Sequence, residues 1–173
     1  MLMRLKRLLK HRWLSETRLR AQVSEAMLAR LTQAVRSSEQ LHSGEVRIYV
    51  ETALPLSYLW RPDSTRSMVR ARAVNMFGKL RVWDTEQNNG VLIYLLLVER
   101  SIEIVADRAL ARHVSQPMWF EIVERMRCAF KAGDFETGLQ QALEQVSNLL
   151  IQHFPLESGQ HNPNELPDQA LLG

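Results

Sequence analysis

The chain has 173 residues, 46% of them hydrophobic and 24% charged, with a net charge of +3 and one cysteine. That length supports a single domain with its own core, and Cys128 alone excludes an internal disulfide framework, so a reducing compartment is expected. The longest apolar run, Val91 to Val98, falls far short of the roughly 20 residues that span a bilayer, and the first residues lack the unbroken apolar core of a secretory signal; the expectation is a soluble, cytoplasmic protein.

Charge is unevenly placed. Within the first 20 residues Arg4, Lys6, Arg7, Lys10, Arg12, Arg18 and Arg20 stand against Glu16 alone, so the remainder of a +3 chain is net negative. A negative body argues against nucleic-acid binding, which needs a basic face. Leu2, Leu5, Leu9 and Trp13 recur at helical spacing, which predicts an amphipathic helix over residues 1–14. Two readings of it stay open. Either Arg4, Lys6, Arg7, Lys10 and Trp13 engage a protein partner or an anionic membrane surface, or the apolar side packs on the domain.

A second helix is expected from about Ser24 to Leu41, ended by the turn His42-Ser43-Gly44. Val46, Ile48 and Val50 alternate with Glu45, Arg47, Tyr49 and Glu51, which predicts a strand with one buried face and one solvated or edge-type face. Pro55 and Pro62 mark residues 52–62 as a connection. Asp63 or Ser64 would cap the next helix, with a core stripe of Val69, Ala73, Met76, Phe77 and Leu80. Val91 to Val98 reads as a central strand covered on both faces, followed by a hairpin at 99–101 and an antiparallel strand over 102–107. Two helices follow, one starting near Ser115 and stopped by Gly133, the next capped by Asp134. The order predicts a three-layer α/β/α sandwich with a mixed sheet. By this reading residues 1–20 form the basic helix, 21–155 the α/β domain, and 156–173, with Gly159, Pro163 and Pro167, a disordered tail.

Three segments taken together resemble a known family: His42 to Ile48, Arg81 to Ile93 with its Asn88-Asn89-Gly90-Val91 lead-in, and Ile102 to Arg108. The later Gly133-Asp134-Phe135-Glu136-Thr137-Gly138 fits as well. The pattern is similar to the TPM domain, also called the TPM phosphatase family, over roughly residues 24–153. The resemblance implies an α/β/α sandwich. It also implies acid phosphatase activity in some relatives, calcium in a groove at the sheet's end in others, and accessory roles beside membrane complexes in others again, often alongside membrane proteins of LemA type. This chain looks like the short cytosolic branch of that family. Asn88 and Asn89 stand where calcium-binding relatives often carry an acidic residue, and hard cations need anionic oxygens; no metal and no cofactor is therefore expected here.

Catalytic signatures are missing. The chain has no P-loop, no G-x-G-x-x-G and no G-x-S-x-G elbow, and no arginine follows Cys128 within six residues to hold a phosphate. Asp84 to Gly90 resembles a calcium loop in composition only, since Gly90 falls one place late and Leu95 stands where the bidentate carboxylate belongs. Trp83, Asp84, Asn88, Asn89, Asp107 and Arg108 remain as candidates for the wall of a groove at the strand ends, where α/β sheets commonly bind ligands. The functional expectation is a small accessory or interaction module, at the inner membrane surface if its helix binds lipid. The alternative is a phosphomonoester hydrolase working in that groove.

Overall fold

The computed structural model describes residues 7–11, 16–157 and 159–173. Residues 7–11 make one helical turn. After it the order is α1 (Glu16–Arg20), α2 (Glu25–Glu39), β1 (Val46–Glu51), α3 (Leu56–Leu59), α4 (Thr65–Lys79), β2 (Val91–Leu96), β3 (Ser101–Ala106), α5 (Arg108–His113), α6 (Gln116–Ala132), α7 (Phe135–His153) and β4 (Leu171–Leu172). A 3-10 turn, Leu97–Glu99, joins β2 to β3.

The helix boundaries follow local chemistry. Ser24, Ser64, Ser115 and Asp134 each accept a hydrogen bond from a backbone amide three residues on, the arrangement that satisfies an unpaired donor of the first turn. Gly133 ends α6 at φ 85°, a left-handed position where a Cβ would be strained.

The sheet order is β3-β2-β1-β4. β1 and β2 run parallel in the register Val46 with Val91 through Glu51 with Leu96, and β3 returns antiparallel to β2. Every residue of β2 is buried, as expected of a strand inside a sheet with helices on both faces. On one face α4 crosses β2 and β3; on the other α2, α6 and α7 pack against the sheet and each other. The result is a three-layer α/β/α sandwich with a mixed sheet. Ile122, Met126 and Phe130 of α6 and Phe135, Leu139, Leu143, Val146 and Leu150 of α7 are all buried on their expected stripes.

Three expectations need correction. The tail is ordered rather than disordered: its last residues form β4, parallel to β1 at Tyr49–Leu171 and Val50–Leu172, and Leu166, Asp168 and Ala170 are buried. Low periodicity concealed this because the segment acts through alternate single contacts along an edge. The polar side of β1 is not solvated either. Glu45, Arg47 and Glu51 are 0%, 5% and 6% exposed, because helix α4 and the tail cover them. Finally, the strand expected over 102–107 stops at Ala106, because Asp107 caps α5, a helix not expected from the sequence; its carboxylate accepts from the Arg108 amide at 2.7 Å.

Glu51 is the best-satisfied of those buried charges. Arg72 of α4 grips it with Nε at 2.9 Å and Nη2 at 2.5 Å, and the Tyr94 hydroxyl donates to it at 2.6 Å. Breaking a buried, hydrogen-bonded pair leaves one charge uncompensated, so Arg72→Ala should lower unfolding free energy by about 3 kcal/mol in urea titrations, against about 1 kcal/mol for Tyr94→Phe.

Candidate functional site

The amino end of β2 is built on a close approach. The loop from Val82 folds back so that a Cβ at Gly90 would lie 2.0 Å from the Val82 carbonyl oxygen, so only glycine fits. Asn88 takes a left-handed conformation, φ 52°, which asparagine tolerates, and turns the chain into β2. The Asn88 carbonyl accepts from the Ala109 amide at 3.0 Å, and Arg108 donates to its side-chain oxygen. Beside it Asn89 is fully buried. Its amide donates to Thr85 Oγ1 at 3.2 Å and its side-chain nitrogen to Ser43 Oγ and Gln87 Oε1, both at 3.3 Å.

Of the predicted groove residues, Asn88, Asn89, Asp107 and Arg108 therefore come together where β2 begins and β3 ends. Trp83 and Asp84 do not join them: Trp83 is half-exposed on the loop and Asp84 pairs with Arg81. Ser43 and Gln87 complete the cluster, with Ser43 Oγ donating to Gln87 Oε1 at 2.7 Å. Two oxygens in it, Asn89 Oδ1 and Asp107 Oδ2, are buried without a partner. Nearby, His42 is fully buried and donates from Nδ1 to the Gly44 carbonyl at 3.0 Å; burial pushes its pKa down to about 4, so it is neutral.

This donor set does not fit calcium. It offers one carboxylate and three amide oxygens, of which Gln87 Oε1 is taken by Ser43 and Asn89, and Asn88 Oδ1 by Arg108, whose guanidinium adds positive charge at the mouth. Among the described residues no group of three or more His, Cys, Asp or Glu is placed to hold a metal ion.

The basic arm takes a definite position where it is described. Arg7 donates to the carbonyls of Leu59, Arg61 and Asp63 at 2.5, 2.8 and 3.0 Å, and Lys10 bonds Glu99 at 2.5 Å. His11, 6% exposed, lies 2.9 Å from the same carboxylate and accepts from the Leu54 amide at 3.2 Å. Burial alone would lift the Glu99 pKa, but His11 and Lys10 hold it below the usual range. Arg4, Lys6 and Trp13 lie outside the described residues. No helix among those described is long and apolar enough to cross a membrane.

Two further features were not read from the sequence. The first is a groove of about 800 Å³ between α4 and α6, beside β3, lined by Arg66, Arg70, Trp119 and Phe120 among others. Phe120 on its wall is 51% exposed. Asp107 donates to Gly90 O at 2.9 Å, so in this register Val105, Glu103 and Ser101 bond to β2 while Ile102, Ile104 and Ala106 turn their main-chain groups to the open edge. Arg70 reaches that edge, 2.7 Å from Ile104 O. The available signal was Phe120 itself, an apolar residue off the buried stripe of α6.

The second is the charged cluster under the tail. Glu39 accepts from the Val46 amide at 2.8 Å, Glu45 from the Leu166 amide at 3.0 Å, and Asp168 from Arg36 at 2.8 Å, with Arg47 buried among them. Burial, reinforced by Glu45 and Asp168 and opposed by the Val46 amide, lifts the Glu39 pKa to about 8. A raised carboxyl binds its proton more tightly in the folded state, so its stabilisation is complete below the ordinary value of 4.5 and is lost as pH rises toward 8. Glu39→Gln keeps the acceptor for Val46 and removes the titration. Urea unfolding from pH 5 to 9 should fall steadily for the wild type and run flatter for this variant, each unit of displacement being worth about 1.4 kcal/mol.

Residues 20–149 match the family profile described as TPM domain. A similar solved structure is the NMR structure of the BA42 protein from the psychrophilic bacterium Bizionia argentinensis, 27% identical, covering 87% of this chain and 94% of that one at a TM-score of 0.72. No curated protein matches the sequence.

Proposed function

The chain belongs to the TPM domain family, and from that premise we propose that it is an accessory binding module whose partner is a protein. The observation that carries this reading is the groove between α4 and α6, where exposed Phe120 stands beside a strand with outward main-chain groups. Extended segments are recognised in this way, the backbone supplying hydrogen bonds and neighbouring pockets supplying selectivity. A membrane protein of LemA type is the partner that the family resemblance suggests, and the protein would then sit at the inner membrane surface through that partner. Direct attachment to anionic lipid has less support, because Arg7 and Lys10 are engaged by Leu59, Arg61, Asp63 and Glu99.

Phe120→Asp tests this directly. The side chain is half-exposed, so stability should change by only about 0.5 kcal/mol. Co-purification with a co-expressed LemA-type protein should be lost in the variant and retained in the wild type. Retention by both would remove the groove from the interface.

A second reading, a phosphomonoester hydrolase, is favoured by the buried, unpartnered Asp107 Oδ2 and Asn89 Oδ1 beside Arg108. A carboxyl there could move a proton while the guanidinium holds an anionic oxygen. Turnover of an aryl phosphate from acid to neutral pH should then drop at least about 100-fold in Asp107→Asn, the range typical of general acid–base catalysis, with the α5 cap intact. Absence of turnover in the wild type leaves the accessory reading alone.

A further inference from the structure

The last eight residues are held as a bound peptide would be. Gly173 N donates to Val50 O at 2.8 Å, and its carbonyl accepts from Thr52 N and Oγ1 at 3.3 and 3.2 Å. The Ala170 amide donates to Thr32 Oγ1 at 3.1 Å, and Arg36 Nε donates to Asp168 Oδ2 at 2.8 Å. Main-chain pairing along a strand edge, with one charged and several small or aliphatic side chains read by the wall, is how extended ligands are recognised. The match to the family profile covers residues 20–149, so this segment lies outside the matched region.

Its grip has a built-in weakness. Arg47 Nε and Nη1 and Glu45 Oε1 are buried beneath it without partners. Each costs free energy while covered and recovers hydration when uncovered, which offsets the apolar contacts of Leu166 and Ala170 lost on opening. The ladder itself is two residues long. A segment fixed by so short a ladder over unsatisfied charges belongs to the low-stability end of local opening.

We propose that the edge of β1 is an acceptor groove for an extended peptide carrying an aspartate three residues before two aliphatic side chains, and that Leu166–Gly173 fills it in cis as a displaceable strap. The surface lies on the opposite edge of the sheet from β3 and stands independently of the groove beside Phe120.

The test uses the full chain and a fluorescent synthetic peptide of residues 162–173, titrated by anisotropy. The closed strap raises the apparent Kd by the reciprocal of the fraction of molecules in which it is open, so Asp168→Ala and Leu171→Asp chains should bind the peptide about tenfold tighter than the wild type. A peptide with alanine in place of its aspartate should bind all three chains more weakly. Equal binding by wild type and variants, or no binding by any of them, overturns the proposal. So does a wild-type dimer that Leu171→Asp dissolves, since the tail would then be exchanged between copies. Amide exchange on the wild type gives a reading that needs no variant. Leu171 and Gly173, whose amides face β1, should exchange at least tenfold faster than Leu92 and Tyr94, whereas equal protection would make the strap a permanent part of the sheet.

Discussion

An internal strand that carries charges on one face must have each of them covered and paired, and β1 imposes that demand on the whole molecule. Its neighbour on one side is fully buried β2, so Glu45, Arg47 and Glu51 have no water to turn to. Helix α4 answers at one end with Arg72, and Tyr94 reaches across from β2 to share the load. At the other end the answer comes from far away in sequence, from Glu39 ahead of the strand and from the tail after α7. The first solution is complete and rigid. The second leaves several polar atoms unmatched, and the difference sets which edge of the sheet can open.

Closure of the carboxyl end of the sheet follows the same pattern of distant residues meeting. Parallel strands usually offer a ligand crevice beyond their carboxyl ends. Here His11 seats on the Leu54 amide after β1 and on Glu99 after β2, so the chain's own amino-terminal region fills that position. The polar cluster with free acceptor oxygens lies instead at the amino end of β2, where Asn88, Asn89, Asp107 and Arg108 converge.

Much of this was legible in the residues. Capping serines, the αL glycine at 133, the apolar stretch at 91–96 and the heptad-like stripes of α6 and α7 each carry a local signal, and each produced the element expected. Asn88 and Asn89 before β2, and Asp107 and Arg108 after β3, could be grouped as candidates because the chemistry at strand ends is also local. What escaped depended on partners remote in the chain. Nothing near Glu45 or Arg47 says that residues 166–168 will cover them, and alternation of polar with apolar residues ordinarily means a wet face. Trp83 was misplaced for the converse reason: a tryptophan in a loop suggests a wall, yet the turn at Arg81, φ 55°, points that stretch outward.

The tail's late position has a consequence during synthesis on the ribosome. Strands β1, β2 and β3 and both flanking layers are complete once α7 has emerged, but the outer edge of β1 stays bare until residues 166–173 follow. A bare strand edge is a template for pairing with other chains, and inward-pointing charge is one of the devices by which proteins blunt it. Glu45 and Arg47, which complicate the finished core, would keep the unfinished nascent chain from self-association.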